Sequence, residues 1–285
     1  MAVCGVCFRH CGIAEGETGF CGARGAEGGV VTAKNYGKVT SLALDPIEKK
    51  PLSRFHPGSM ILSVGSYGCN LRCPFCQNDE ISWSRRAMQF EKKAEVISPQ
   101  ELAELARYHR RNGNIGVAFT YNEPLVGYEY VRDTAKLVHE MGMAGVLVTN
   151  GTADLSVLSE IAPYIDAMNI DLKGFTDRYY AGVLKGNRQM VMEFIAEAVR
   201  VCHVELTTLI VPGENDTDEE MRELSSWVAQ LDAGGTGSGR EIPLHVSRFF
   251  PRFHMRDRAA TDVRRVYQLA AVAREQLRYV YTGNC

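Results

Sequence analysis

The sequence has 285 residues, with 32 Lys and Arg against 34 Asp and Glu, a formal net charge of −2 and 45% hydrophobic residues. This length suffices for one sizeable core, and the balanced charge argues against a disordered chain or a broadly basic nucleic-acid-binding protein. No apolar stretch reaches the roughly 18 residues that span a bilayer, and no secretory signal opens the chain, so we expect a cytoplasmic protein without a membrane partner.

Residues 1–35 are rich in Gly and Cys and show little apolar periodicity. They offer four thiolates with the spacing C-x2-C-x3-C-x9-C, at Cys4, Cys7, Cys11 and Cys21. Four soft ligands suit tetrahedral zinc or a second iron–sulfur cluster, and the spacing leaves both open. A disulfide pair is a third interpretation, which a reducing cytosol disfavours. We therefore expect a small metal- or cluster-binding module over residues 1–35, followed by a second domain over residues 36–285.

Short apolar runs alternate with amphipathic segments through the rest of the chain. The runs predict strands at 61–64, 116–120, 145–149, 167–171, 204–211 and 244–247. The capping signals at Ser98-Pro99-Gln100-Glu101 and at Thr217 predict helix starts, the first helix ending near Gly113. Further helices are predicted at 128–141, 154–162, 189–201 and 262–277. The glycine-rich stretch at 234–239 predicts a flexible connection.

Six units of strand and helix imply parallel strands joined by right-handed crossovers. They suit either an open doubly wound sheet or a partial barrel, and the periodicity leaves both open. In both architectures the functional residues gather at the carboxyl ends of the strands. We therefore expect the functional side chains in the loops that follow the strands.

A loop with the spacing C-x3-C-x2-C directly follows the first predicted strand, at Cys69, Cys73 and Cys76. Iron–sulfur cubanes are normally held by four thiolates, so three leave one iron open for chemistry. Zinc also accepts three thiolates, but it then needs a fourth ligand or a catalytic water. Of the other two cysteines, Cys202 is expected to be a buried hydrophobe and Cys285 to be incidental.

This loop, with an aromatic residue before its last cysteine, resembles the signature of the radical S-adenosylmethionine (radical SAM) superfamily. The resemblance implies that Cys69, Cys73 and Cys76 hold a 4Fe-4S cluster and that Phe75 lies near the adenine of S-adenosylmethionine. It also implies an oxygen-sensitive oxidoreductase, in which the open iron chelates the methionine end and one electron cleaves the sulfonium to a 5'-deoxyadenosyl radical.

Other candidate cofactor-binding residues lie at successive strand ends and are similar to superfamily segments. Glu123, supported by Asn122, is expected to neutralise the methionine ammonium, since a buried cation needs a partner. Thr149 and Asn150 resemble the T-N-G of the pyruvate formate-lyase activating enzyme group. The remaining candidates of this kind resemble its D-L-K and V-P-G segments: Asp171, Lys173 and Val211.

The segments at 121–124, 242–251 and 279–284, with the N-terminal cysteines, resemble the AmmeMemoRadiSam system radical SAM enzyme. The resemblance favours a partial (β/α)6 TIM-like barrel over the open sheet. It also implies association with Memo-like and AMMECR-like proteins. His245 and Arg248 are expected to end the sixth strand and to act as catalytic residues, by proton transfer or by binding a carboxylate.

Three functions remain in competition at this point. The first is hydrogen abstraction from a small-molecule or protein substrate, with electrons from a low-potential donor such as flavodoxin or ferredoxin. The second is activation of a glycyl radical enzyme. The third, from another class, is a non-catalytic iron–sulfur or zinc protein.

Overall fold

The computed structural model describes residues 1–234 and 237–285, except the side chain of Met88. None of the helices in these ranges is both long enough and apolar enough to cross a membrane. The predicted connection at 234–239 lies partly outside the described residues. In the described residues the strands are β1 (Ala2–Val3), β2 (Gly12–Ile13), β3 (Arg24–Glu27), β4 (Val30–Ala33), β5 (Lys38–Val39), β6 (Ser41–Pro46), β7 (Met60–Gly65), β8 (Glu95–Val96), β9 (Asn114–Phe119), β10 (Ala144–Thr149), β11 (Ala167–Asp171), β12 (His203–Ile210), β13 (Leu244–Arg248) and β14 (Val280–Gly283).

Eight of these strands form one mixed sheet in the order β14-β13-β12-β11-β10-β9-β7-β6. The strands from β7 to β14 in this sheet run parallel, whereas β6 pairs antiparallel with β7. The sheet does not close on itself, because β6 and β14 remain its edges. This confirms the predicted partial-barrel architecture. All six predicted strands are present, and β6 and β14 add to them.

Helices cross over between the parallel strands, as the alternating pattern predicts. Ser98 and Glu101 form the predicted capping box, and Thr217 accepts the predicted cap hydrogen bond from the Glu220 N–H. The first predicted helix ends earlier than expected: a 3-10 turn follows its last residue and stops at Gly113, whose φ is 80°. The described helices are α1 (Asp79–Ser82), α2 (Phe90–Lys93), α3 (Pro99–Tyr108), α4 (Tyr128–Glu140), α5 (Leu155–Ile161), α6 (Arg188–Val201), α7 (Asp218–Ala229) and α8 (Val263–Arg274).

The N-terminal segment is built from two antiparallel pairs, β1 with β2 and β3 with β4. Its residues Cys4, Val6, Ile13 and Ala26 belong to the same hydrophobic cluster as the apolar faces of the barrel strands and helices. The Asp154 N–H also donates to the Val6 carbonyl across 2.8 Å. The segment therefore shares its core with the barrel, while a domain boundary at residue 35 stays a prediction.

A loop over residues 47–55 covers the amino ends of the barrel strands. It contributes Ile47 and Leu52 to a second apolar cluster, whose other buried members lie on the strands: Ile61, Ala118, Val146 and Ala167. The backbone N–H groups of Ser53 and Arg54 donate to the carboxylate of Glu205 on β12. This end of the barrel is therefore closed by the chain itself, which leaves the carboxyl end of the strands for a site.

Candidate functional site

The three-cysteine loop follows β7 directly, at the carboxyl edge of the sheet. The Cys76 N–H donates to the Cys73 carbonyl across 3.2 Å, and the Leu71 N–H lies 3.4 Å from the Cys69 Sγ. Burial raises the pKa of all three thiols, that of Cys73 to about 12, and the thiolates of Cys73 and Cys76 raise the pKa of Cys69 further. The three thiols thus share one water-poor environment, in which a metal would take the place of their protons.

The donor set of this loop fits three corners of an iron–sulfur cubane. Among the described residues no three His, Cys, Asp or Glu side chains stand close enough together to hold a single metal ion. A cubane spaces its cysteine ligands more widely than one ion does, because the thiolates bind different irons. Beside the loop, the Tyr179 hydroxyl is buried, has no hydrogen-bond partner in the described part of the chain and interacts electrostatically with Cys73. An orphaned buried hydroxyl next to the thiols is the kind of group that a bound ligand satisfies.

Glu123 links the ends of β9 and β10. It is 2% exposed and accepts hydrogen bonds from the Thr149 hydroxyl at 2.7 Å, the Asn150 N–H at 2.7 Å and the Leu125 N–H at 3.0 Å. A carboxylate has about four acceptor positions, so one remains after these three. Burial raises the pKa of Glu123 to about 7 against the opposing effect of these hydrogen bonds. The structure thus brings the predicted Glu123, Thr149 and Asn150 together; binding of the ammonium stays a prediction.

Asn122 fastens the cysteine loop to the end of β9. Its Oδ1 accepts from the Ser66 N–H at 3.0 Å, and its Nδ2 donates to the Gly68 carbonyl at 3.1 Å. The preceding Tyr121 has φ of 73°, and Asn78 donates to its carbonyl across 2.7 Å. The side chain of Asn122 therefore positions the cysteine loop by hydrogen bonds to the backbone of that loop.

Asp171 and Lys173 form an ion pair of 2.8 Å at the end of β11. Burial lowers the pKa of Lys173, but the Asp171 carboxylate and the Cys73 thiolate raise it by more, so its net direction is upward. The Lys173 ammonium in turn lowers the pKa of Cys73. The pair therefore lies beside the cysteine loop, as the fold rule predicts for residues at strand ends.

The segment after β12 is tied to the same place. Asn215 accepts from the Val211 N–H at 2.7 Å and donates to the Lys173 carbonyl at 2.7 Å. Val211 is completely buried in the core, and Phe75 is buried with its ring 6.2 Å from that of Phe249. Both are apolar side chains at this end of the barrel, while their contact with adenine stays a prediction.

The two predicted catalytic residues lie at opposite ends of β13. Arg248 is its last residue, as predicted, and donates to the Thr261 carbonyl across 2.7 Å. His245 is its second residue, so the prediction that it ends the strand is wrong. Its Nε2 lies 2.7 Å from a carboxylate oxygen of Glu205, the residue that holds the loop over the amino end. None of the hydrogen bonds of His245 in the described part of the chain leads to the cysteine loop.

The four N-terminal cysteines line one cavity next to the three-cysteine loop. All nine cysteines of the chain are free thiols, and Cys202 is buried as expected. Asn70 and Arg72, inside the loop, connect the two cysteine groups and were not predicted as site residues. Asn70 donates to the Thr152 carbonyl at 2.6 Å and accepts from Asn150 at 3.0 Å. Only their position between cysteines in the sequence could have indicated them, because Asn70 contacts Asn150 and Arg72 contacts Phe20, both far along the chain.

Comparison with known proteins agrees with this geometry. The family model of the radical SAM superfamily matches residues 63–227. The uncharacterized protein MJ0808 of Methanocaldococcus jannaschii is 40% identical over 287 residues, which cover 99% of this chain and 80% of that protein. The pyruvate formate-lyase-activating enzyme of Clostridium pasteurianum is 28% identical over 170 residues, or 58% of this chain and 67% of that enzyme.

Among solved structures, SuiB of Streptococcus suis matches with a TM-score of 0.57 at 14% identity. The match covers 78% of this chain and 48% of that one. At this identity the likeness concerns the fold alone. It places the partial barrel described above among known architectures.

Proposed function

This chain belongs to the radical SAM superfamily, and on that premise we propose that it reductively cleaves S-adenosylmethionine and abstracts hydrogen from an organic substrate. When bound at Cys69, Cys73 and Cys76, a 4Fe-4S cluster supplies one low-potential electron and one iron without a protein ligand. The observation that carries the proposal is the set of three buried thiols at the carboxyl edge of the sheet. A fourth cysteine in the loop would saturate the cluster, and the sequence has none there.

The chain's own residues have separate tasks in this proposal. Glu123 has one free acceptor position for the methionine ammonium. Lys173, paired with Asp171, offers a cation to the methionine carboxylate. The buried side chains of Phe75 and Val211 give adenine an apolar environment and exclude water, which protects a carbon radical from side reactions.

Formation of 5'-deoxyadenosine tests the proposal. Anaerobically prepared protein with a chemical reductant and S-adenosylmethionine is expected to release it slowly without substrate. Cys73→Ala is expected to abolish the release, because one thiolate of the set is lost. Cys202→Ala is the matched control, since it removes a buried thiol outside both groups. A wild-type protein that releases none supports the alternative of a non-catalytic iron–sulfur or zinc protein and ends the proposal.

A second candidate is activation of a glycyl radical enzyme. The similarity to the activating enzyme of Clostridium pasteurianum over 58% of this chain favours it. The substrate hydrogen is then that of a glycine in a partner protein. Anaerobic mixing with a glycyl radical enzyme, followed by electron paramagnetic resonance, decides: a protein doublet supports this candidate, and its absence removes it.

We also propose a compartment, an electron donor and partner proteins for this reaction. Nine free cysteines call for a reducing, oxygen-poor compartment, and we place the protein in the cytoplasm. A flavodoxin or ferredoxin supplies the electron. Memo-like and AMMECR-like proteins act with the enzyme; sequence resemblance alone supports this partnership. Copurification of these proteins from the native cell, with and without crosslinking, tests it.

A further inference from the structure

The N-terminal thiols form a second site that the proposed function does not use. Cys4, Cys7, Cys11 and Cys21 line one cavity of about 10 Å³. The first two are buried and the other two are half-buried. The cavity therefore lies between the core and the surface, within reach of a partner that docks on the outside.

The spacing of these thiols distinguishes a single ion from a cluster. Four thiolates can close a tetrahedral zinc site or hold a 4Fe-4S cluster. The two sites differ in spacing, because zinc draws all four sulfur atoms to about 2.3 Å from one ion, whereas in a cluster each thiolate binds a different iron. No three of these thiols stand close enough for one ion, which is equally true of the three-cysteine loop among the described residues. Four thiolates that stand too far apart for one ion suit an iron–sulfur cluster, in which each thiolate binds a different iron.

The backbone of this site touches the backbone of the three-cysteine loop. The Cys69 N–H donates to the Cys21 carbonyl across 3.2 Å. Gly68 permits this approach: its φ is 94°, and a Cβ at this position would lie 2.6 Å from the Ala23 Cβ and 2.9 Å from the Cys21 oxygen. A hydrogen bond thus joins Cys21, a ligand of the N-terminal group, to Cys69, a ligand of the other group. The path between the two sites therefore runs through covalent bonds and this one hydrogen bond.

Two amide side chains make a second connection. Asn70, 1% exposed, lines the same cavity as Cys7 and accepts from the Asn150 Nδ2 at 3.0 Å. That Nδ2 also lies 3.7 Å from the Cys69 Sγ. A line of polar contacts therefore leads from the cavity of the N-terminal thiols to the other thiol group.

Two arginines surround the junction with positive charge. The guanidinium groups of Arg9 and Arg72 lie 3.4 Å and 3.7 Å from the centre of the Phe20 ring. Each guanidinium interacts electrostatically with thiolates of both groups, among them Cys21 and Cys69. Reduction adds negative charge to a cluster, and fixed positive charge stabilises the reduced form.

We propose that Cys4, Cys7, Cys11 and Cys21 hold a second iron–sulfur cluster, which passes single electrons to the group at Cys69, Cys73 and Cys76. The relay rests on the proposed function; the second cluster does not. A reduced flavin or iron–sulfur protein passes one electron to the N-terminal cluster. This cluster then passes the electron to the cluster at Cys69, Cys73 and Cys76. That electron breaks one carbon–sulfur bond of S-adenosylmethionine, leaving methionine and the 5'-deoxyadenosyl radical, and no proton moves.

Metal analysis of anaerobic protein tests the cluster itself. The triple variant Cys69→Ala/Cys73→Ala/Cys76→Ala is expected to retain about four irons and, when reduced, a paramagnetic signal that S-adenosylmethionine does not change. The double variant Cys7→Ser/Cys11→Ser is expected to retain about four irons whose signal S-adenosylmethionine does change. Cys285→Ser, outside both groups, should keep about eight. Zinc, or no metal, in a folded triple variant overturns the proposal, as does a wild-type total of four irons.

Two readouts test the relay. In fully reduced wild type the two signals should broaden each other and relax faster than in either variant, which independent clusters would not do. Cys7→Ser/Cys11→Ser should lose at least about tenfold in S-adenosylmethionine cleavage with a protein donor, yet stay within about threefold of wild type with titanium(III) citrate. Equal loss with both reductants, or no loss, overturns the relay. Wild type that fails to cleave with titanium(III) defeats the proposed function instead, while iron content still decides the cluster.

Discussion

The two ends of the barrel each bury a glutamate, and the two environments are opposites. At the amino end, Glu205 accepts hydrogen bonds from the N–H groups of Ser53 and Arg54 and pairs with His203 and His245. Burial opposes its ionisation, but these partners lower the pKa of Glu205 to about 2. The carboxylate is therefore fully partnered by its own chain.

At the carboxyl end, Glu123 has three donors and no cationic partner among the described residues, and burial raises its pKa to about 7. Its carboxylate interacts electrostatically with the Cys69 thiol of the cysteine loop and raises the pKa of that thiol. A buried polar group whose hydrogen bonds are all made within the chain stabilises the fold. A buried polar group with an unused acceptor or donor position can bind a ligand. We therefore infer that the amino end of the barrel stabilises the fold and that the carboxyl end carries the reaction.

Removing the amino-end carboxylate tests the structural half of this contrast and should have the largest effect. Glu205→Ala leaves two histidines and two backbone donors without their acceptor, so we expect a loss of about 3–5 kcal/mol in the free energy of unfolding. Denaturant titration measures it, with Glu193→Gln on an exposed helix face as the control. A loss below 1 kcal/mol would show that the cluster at this end is not structural.

The pH dependence of stability should have opposite signs at the two ends of the metal-free protein. Glu205 has a lowered pKa, so its contribution is present above about pH 4.5 and is lost as pH falls toward 2. Glu123 has a raised pKa, so stability is highest below about pH 4.5 and falls as pH rises through 7. Each effect amounts to about 3 kcal/mol.

Unfolding free energies measured between pH 3 and 8 separate the two effects. Glu205→Gln should make the free energy of unfolding less dependent on pH below about pH 4.5. Glu123→Gln should remove the decrease in the free energy of unfolding between pH 4.5 and 7. A decline that persists in Glu123→Gln contradicts the assignment of the carboxyl end.

The cysteine loop contacts the N-terminal segment at Gly68. Gly68→Ala forces a Cβ against Ala23 and the Cys21 carbonyl at a φ of 94°, so we expect a loss of about 2 kcal/mol in unfolding free energy. Gly182→Ala is the matched control, because no atom lies within 4 Å of its added Cβ. Equal stability of the two variants would mean that the loop is not held by this contact.

The smallest predicted effect concerns ligand affinity. Glu123→Gln keeps an acceptor for Thr149 and removes the negative charge, so S-adenosylmethionine should bind about tenfold more weakly, or about 1.4 kcal/mol. Equilibrium titration of the cluster-loaded protein measures the affinity, and the iron content should stay unchanged. Unaltered affinity would remove Glu123 from the cofactor site.

Local rules sufficed for the parts of the fold that depend on neighbours in sequence. The capping box at Ser98 and the cap at Thr217 lie where the pattern predicts them. The edge strand β6 was missed because only one of its six residues is buried, which leaves little hydrophobic contrast. The edge strand β14 has only four residues, too few for a periodic signal.

The positions of site residues were predictable at strand ends. They were not predictable where a side chain is placed by a partner that is distant in sequence. The three cysteines, Glu123 and the Asp171–Lys173 pair gather as their positions predict. His245 was misplaced although the predicted strand at 244–247 begins where β13 does, since the second position of a strand already lies away from its carboxyl end. Its partner Glu205 lies 40 residues away, and the donors on Ser53 and Arg54 lie more than 150 residues from that glutamate. No local pattern reveals such a cluster.

The most direct measurement is electron paramagnetic resonance of the reduced cluster at Cys69, Cys73 and Cys76, recorded in Cys7→Ser/Cys11→Ser with and without S-adenosylmethionine. Binding of the cofactor at an iron without a protein ligand should shift the g values of the signal. A signal that S-adenosylmethionine leaves unchanged at saturating concentration would contradict an open iron at the carboxyl end of the barrel.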